Sequence, residues 1–155
     1  NILIMKTKYI IITLFMVSAL SLRAQNNFIE KYSKMKGVTV VNISKTLLQL
    51  MPDMDANGMN IGDIAQDLDS MYILTSEDGA TSNKMKADYI AMIREKGYEE
   101  LMSVKDKNEH VKFFIKKNKN KISELVMAVD NSPKFVYITL CGNLSLEKIK
   151  KLTKK

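Results

Sequence analysis

Asp53-Met54-Asp55-Ala56-Asn57-Gly58 is the segment whose residue types and spacing come nearest to a known chemistry. Calcium loops of the D-x-D-x-[DN]-G type place oxygen ligands at alternate positions and let a glycine make the sharp turn. Such a loop also needs a bidentate glutamate at its twelfth position. Here that position is Ile64, and Asp63 falls one residue early. Asp53, Asp55 and Asn57 are the calcium candidates, and the missing ligand favours a plain polar turn over a metal site.

Nucleophilic and acid–base chemistry have little to work with. His110 is the single histidine and Cys141 the single cysteine. A zinc site, a Ser/His/Asp triad or a Cys/His dyad needs further partners, and the strand phases of these two residues do not bring them together. Cys141 ends an apolar strand pattern and reads as a small buried hydrophobe, with no second cysteine for an intramolecular disulfide. Acids occur in pairs, Asp67 with Asp69, Glu77 with Asp78 and Glu99 with Glu100. Hydrolysis by two carboxylates needs them across a cleft, whereas near neighbours on strands and turns point apart into solvent. No glycine-rich phosphate loop is present, so no cofactor is expected.

Binding is better served. Alternation along the later strands gathers Lys112, Phe114, Phe135 and Tyr137 on one sheet face, with His110, Lys116, Val126, Ala128 and Thr139. Rings interleaved with polar groups suit a recognition surface, because they bury area at little rotamer cost. The competing reading is that the first helix or the Asp53 to Gly62 segment covers that face, since monomers seldom leave a large apolar patch bare. Lysines cluster from Lys112 to Lys121 and again from Lys148 to Lys155. The lysine-rich tail could touch an anionic membrane surface, although lysines on strand edges and turns ordinarily block edge-to-edge pairing.

The elements that must position these residues follow a leader. Met5 looks like the start, after an upstream read-through of Asn1 to Ile4. Lys6 and Lys8 form a positive region, Tyr9 to Leu22 is almost wholly apolar, and Ala24 offers a small residue before a scissile bond. That order is the one a signal peptidase reads, and the apolar run is shorter than the roughly 20 residues that span a bilayer. Residues 1–24 are therefore expected to be a signal peptide and residues 25–155 a single domain that is periplasmic or secreted. No cysteine follows the apolar run, so a lipoprotein is not expected. The formal net charge is +7, and it falls to +4 when Lys6, Lys8 and Arg23 leave with the leader. Export and that modest balance argue against nucleic acid as a partner.

In the remainder, Phe28, Tyr32 and Met35 are spaced as one helical face before Gly37, and Val38 to Ile43 is β-branched. A short helix carrying Leu47, Leu48 and Met51 ends at Pro52, and Leu68 to Thr75 returns to strand character. The longest helix is expected from Thr81 or Ser82 to Gly97, with Met85, Tyr89, Met92 and Ile93 on one face. Strands follow near Tyr98 to Lys105, Glu109 to Lys117, Ile122 to Val129 and Phe135 to Cys141, broken by Asp/Asn/Ser/Pro turns. Short turns favour hairpins, and a last helix carries Leu146, Ile149 and Leu152. The predicted fold is α+β, an antiparallel sheet of about five to six strands with helices packed mainly on one face. The predicted core under those helices is Val111, Phe113, Ile115, Leu125, Met127, Val129, Val136, Ile138 and Leu140.

Several segments carry a resemblance: Phe28-Ile29-Glu30-Lys31-Tyr32, Gly37 to Val41, Ile43-Ser44-Lys45, Leu74 to Glu77, Val104-Lys105-Asp106, Leu125-Val126 and the Gly142-Asn143-Leu144 turn. In them the chain resembles the exported Bacteroidetes proteins catalogued as domain of unknown function 4252, over nearly all of residues 25–155. The resemblance implies a Gram-negative envelope setting and supports export. It brings no catalytic residues and no established activity. The functional expectation is a non-enzymatic protein or peptide interaction module of the envelope, using the aromatic sheet face or an exposed strand edge. The alternatives are a small periplasmic enzyme and a calcium- or membrane-surface-binding protein.

Overall fold

The computed structural model describes residues 26–50, 55–56 and 59–152. Alternating β-branched and aromatic residues between Glu99 and Leu144 form a four-stranded meander: β5 (Glu99–Lys105), β6 (His110–Asn118), β7 (Lys121–Asn131) and β8 (Lys134–Leu144). Tight turns join them, one holding Lys119 at φ 55° and another a cis Ser132–Pro133 peptide. Two earlier strands, β1 (Val38–Ser44) and β4 (Leu68–Ser76), complete a six-stranded sheet of order β1-β4-β8-β7-β6-β5. Every neighbouring pair is antiparallel. Two-residue strands β2 (Asp55–Ala56) and β3 (Met59–Asn60) pair only with each other.

The helices are few. α1 (Asn26–Ser33) and α2 (Lys45–Leu50) flank β1, a 3-10 turn (Gly62–Asp67) precedes β4, and α4 (Leu146–Leu152) follows β8. The long helix, α3 (Gly79–Glu95), carries the chain from β4 to β5 across the sheet. It starts two residues before the expected Thr81, because the Asp78 carboxylate accepts from the Thr81 backbone N–H at 2.8 Å. Gly97 ends it at φ 67°, a conformation that costs a glycine little.

Helices cover both faces of the sheet, not mainly one. On the first face Leu48 of α2, Ile64 of the 3-10 turn and Ile149 of α4 join Met71, Phe113, Ile115, Leu125, Met127, Val129, Val136, Ile138 and Leu140. Eight of the nine expected core residues are buried there, and Val111 is half-buried against them. On the second face Phe28 and Tyr32 of α1 and Met85, Tyr89, Met92 and Ile93 of α3 pack onto Leu74, Phe114, Val126, Ala128, Phe135 and Tyr137. Apolar side chains at both parities explain the outcome: Leu125 to Val129 is one continuous apolar run, as in strands buried on both sides. Gly142 marks the seam between β4 and β8, where a Cβ would lie 2.1 Å from the Asp67 carbonyl oxygen. No described helix is long and apolar enough to cross a membrane.

Candidate functional site: a crevice beside the long helix

Phe114, Phe135 and Tyr137 do not form an open recognition surface; all three are buried. Tyr89 of α3 stacks over them, with ring centroids 5.5 Å from Phe135, 6.2 Å from Phe114 and 6.4 Å from Tyr137. Phe28 of α1 lies 4.8 Å from Tyr137. The alternation that placed these rings on one face is right, but alternation alone does not say what covers a face. The competing reading, cover by the first helix, is half of the answer, and α3 is the other half.

Cover stops short at one corner. Between α3 and the β6–β7 end lies a crevice of about 130 Å³. Its floor is apolar, made of Tyr89, Ala128 and Phe135, and exposed Ile90 stands at its lip. Its rim is charged, made of Lys86, Lys112, His110 and Asp130. Lys86 reaches Asp130 at 3.1 Å and Lys112 reaches Glu100 at 3.6 Å, so both ammonium groups are held near the mouth by partly exposed partners. The His110 Nε2 lies 2.9 Å from the Ser103 hydroxyl. A shallower, more polar groove of about 630 Å³ continues from His110 and Asp130 along the β5–β6 and β7–β8 turns. Of the four sequence-derived binding residues, the crevice brings together Lys112 and Phe135, while Phe114 and Tyr137 support Tyr89 from beneath.

A second polar site sits on the same face near the other end of α3, around a residue the sequence reading did not single out although it shares the parity of Val126 and Ala128. Glu124 is only 4% exposed, in the middle of the sheet. Regular alternation from Ala128 and Val126 places its side chain on this face, opposite Cys141 of β8, and a bulge just beyond it turns Ile122 to the first face. The Tyr98 hydroxyl donates to one carboxylate oxygen, and Lys116 lies 3.9 Å from the other. Burial raises the Glu124 carboxyl above its ordinary value, and the Tyr98 hydrogen bond and the Lys116 charge oppose that rise. Burial, with the nearby Glu124 charge, also pushes the Cys141 thiol up, which disfavours the thiolate a nucleophile needs.

The paired acids serve separate partners. Asp67 accepts from Lys148 and Asp69 from Lys45, Glu77 pairs with Lys134 while Asp78 caps α3, and Glu99 pairs with Lys117 while Glu100 meets Lys112. Of these pairs, Glu77 and Asp78 line a common recess, an open one, and there each serves its own partner. The same contacts tie down Lys112, Lys116 and Lys117 of the first lysine cluster and Lys148 of the second. Asp53 and Asn57 lie outside the described residues; Asp55 is placed only as backbone in β2, opposite Asn60. Among the described residues no three His, Cys, Asp or Glu side chains gather as metal ligands.

No curated protein and no solved structure matches the chain. One family model does match, that of Domain of unknown function (DUF4252), over residues 32–152, a span from α1 to α4 that includes the crevice and the Glu124 cluster. The chain belongs to that family.

Proposed function

We propose that this protein is a non-enzymatic binding module of the bacterial envelope, exported by its N-terminal leader, that takes a segment of a protein or peptide at the crevice beside α3. The observation that carries this reading is the crevice itself. Its apolar floor of Tyr89, Ala128 and Phe135 suits one inserted apolar side chain, and Lys86 and Lys112 at the mouth suit an acidic neighbour on the same segment. Its volume is well below the roughly 300–1,000 Å³ of small-molecule sites, which favours an anchoring side chain over an enclosed ligand. The polar groove beyond His110 and Asp130 gives the rest of the segment a path across the strand ends.

The test uses a displayed peptide library screened against the protein recovered from expression of the full chain. Selected peptides should pair an apolar anchor with an adjacent acid. Ala128→Leu fills the floor and Lys112→Glu reverses the rim charge, and each is expected to weaken capture at least about tenfold with the fold retained. Enrichment of peptides indifferent to both substitutions would place binding elsewhere. Export is tested separately by N-terminal sequencing, which should begin at Gln25.

A further inference from the structure

We infer that β1 is the edge through which two copies of this chain join, antiparallel, about a two-fold axis at Val41. The two outer strands of the sheet are built differently. β5 carries Glu99, Glu100 and Lys105 and has a bulge between Glu100 and Met102, the devices that blunt an edge against further pairing. β1 has the sequence Val-Thr-Val-Val-Asn-Ile-Ser, with no charge, no proline and an unbroken register to β4 from Val38↔Ser76 to Ser44↔Ser70. Its outer side pairs with no described strand. A regular, uncharged, β-branched edge is a template for another strand.

The ends of β1 say which strand fits. Val41, 43% exposed, is central to the seven residues, so antiparallel pairing about it matches the whole strand to its own copy: Val38 to Ser44, Thr39 to Ile43 and Val40 to Asn42. In that register the residue after Ser44, Lys45, falls beside the partner copy's Gly37. An open recess of about 460 Å³ lies at that point, lined by Gly37, Val38 and Thr39 with Thr75, Glu77 and Asp78. Lys45 and Glu77 are exposed and engaged within the chain by solvent-exposed ion pairs, Lys45 with Asp69 and Glu77 with Lys134, which cost little to exchange. The recess at one end of the strand and Lys45 at the other can therefore pair across copies when, and only when, the strands run antiparallel. The apolar side chains agree as well. A two-fold axis normal to the sheet keeps both Val41 side chains on one face, the face on which α2 exposes Leu47 and Leu50, the latter 72%. Self-complementarity of this kind is what an isologous two-fold contact requires. The crevice lies toward the opposite edge, so the two readings stand or fall separately.

The experiment is sedimentation equilibrium on the protein recovered from expression of the full chain. The expected result is twice the mass of one chain. Val41→Lys sets two ammonium groups directly opposite at the axis and is expected to give a monomer with unchanged circular dichroism. Lys45→Glu, which within its own chain loses the exposed pair with Asp69, should raise the dimer dissociation constant about tenfold, and adding Glu77→Lys should restore it, whereas Asp69→Asn alone should leave it unchanged. A native monomer at every concentration overturns the inference, as does a dimer indifferent to Val41→Lys and to the charge swap. A monomer that captures a synthetic strand peptide along β1 also overturns it and assigns the edge to a foreign partner.

Discussion

The two faces of the sheet solve the same packing problem with different side chains, and chemistry collects on only one of them. Among the described residues the first face is filled by Leu, Ile, Met and Val, with Phe113 its single ring. The second holds Phe28, Tyr32, Tyr89, Phe114, Phe135 and Tyr137, with Tyr98 at its margin. Branched aliphatic chains adapt to short helices and seal against them. Rings are larger, stiffer and carry directional contacts, so a single long helix laid over them leaves a corner open, and that corner is the crevice. Tyrosines also bring hydroxyls that must be satisfied. Tyr32 donates to Asp88 at 2.6 Å, Tyr98 donates to Glu124, and burial pushes the Tyr89 hydroxyl up to about 12. The aromatic face therefore acquired titratable partners that the aliphatic face never needed.

Truncation on each face is the most severe way to probe that difference. Phe135→Ala removes a ring that is 1% exposed and touches Tyr89, and is expected to cost about 3–5 kcal/mol. Leu125→Ala on the aliphatic face is expected to cost about 2–5 kcal/mol, toward the lower end because unbranched and branched neighbours relax into part of the space. Denaturant titrations of both would decide the matter. An equal or larger loss for Leu125→Ala, with a rigid cavity, would show that the aliphatic face is the less adaptable one.

The smallest effect is the most specific. Because burial raises the Glu124 carboxyl, its neutral form is favoured in the folded chain. Stability from this position is full below the ordinary carboxylate range and is lost as pH rises through the raised folded value. Glu124→Gln stays neutral and keeps an acceptor for Tyr98. Its melting temperature relative to the native chain should rise from about pH 4 upward, with the difference flattening once Glu124 is fully charged. A variant that loses ground at alkaline pH would mean that Lys116 and Tyr98 outweigh desolvation.

Strand positions and one face of the core were legible because alternation has a fixed period: Val111 to Ile115, Leu125 to Val129 and Val136 to Leu140 each place their odd-numbered or even-numbered members together. For the second face the sequence reading weighed an open surface against cover by the first helix or the Asp53 to Gly62 segment and did not reach α3, although the unbroken apolar run from Leu125 to Val129 carried the signal of burial on both sides. The crevice was only half legible. Lys112 and Phe135 share a strand pattern, but Lys86 reaches Asp130 from a helix 44 positions earlier, and no local period links them. Glu124 was not singled out within the expected strand Ile122 to Val129. Alternation from Val126 and Ala128 sets it on the covered second face opposite Cys141, and the bulge beyond it reverses the face of Ile122.

The strand order also governs the sequence of events by which the chain finds this shape. β5 through β8 are successive hairpins closed by tight turns, so their pairing needs only short, inexpensive loop closures. β4 must instead meet β8 from far away in the chain, Tyr72 against Thr139, with α3 and three strands in between. Contacts of such separation form late. The meander, with the Glu124 cluster built from its own residues, is then the platform expected to assemble early. β1, β4 and α3 are the parts that dock onto it, Tyr89 completing the crevice floor only at that step.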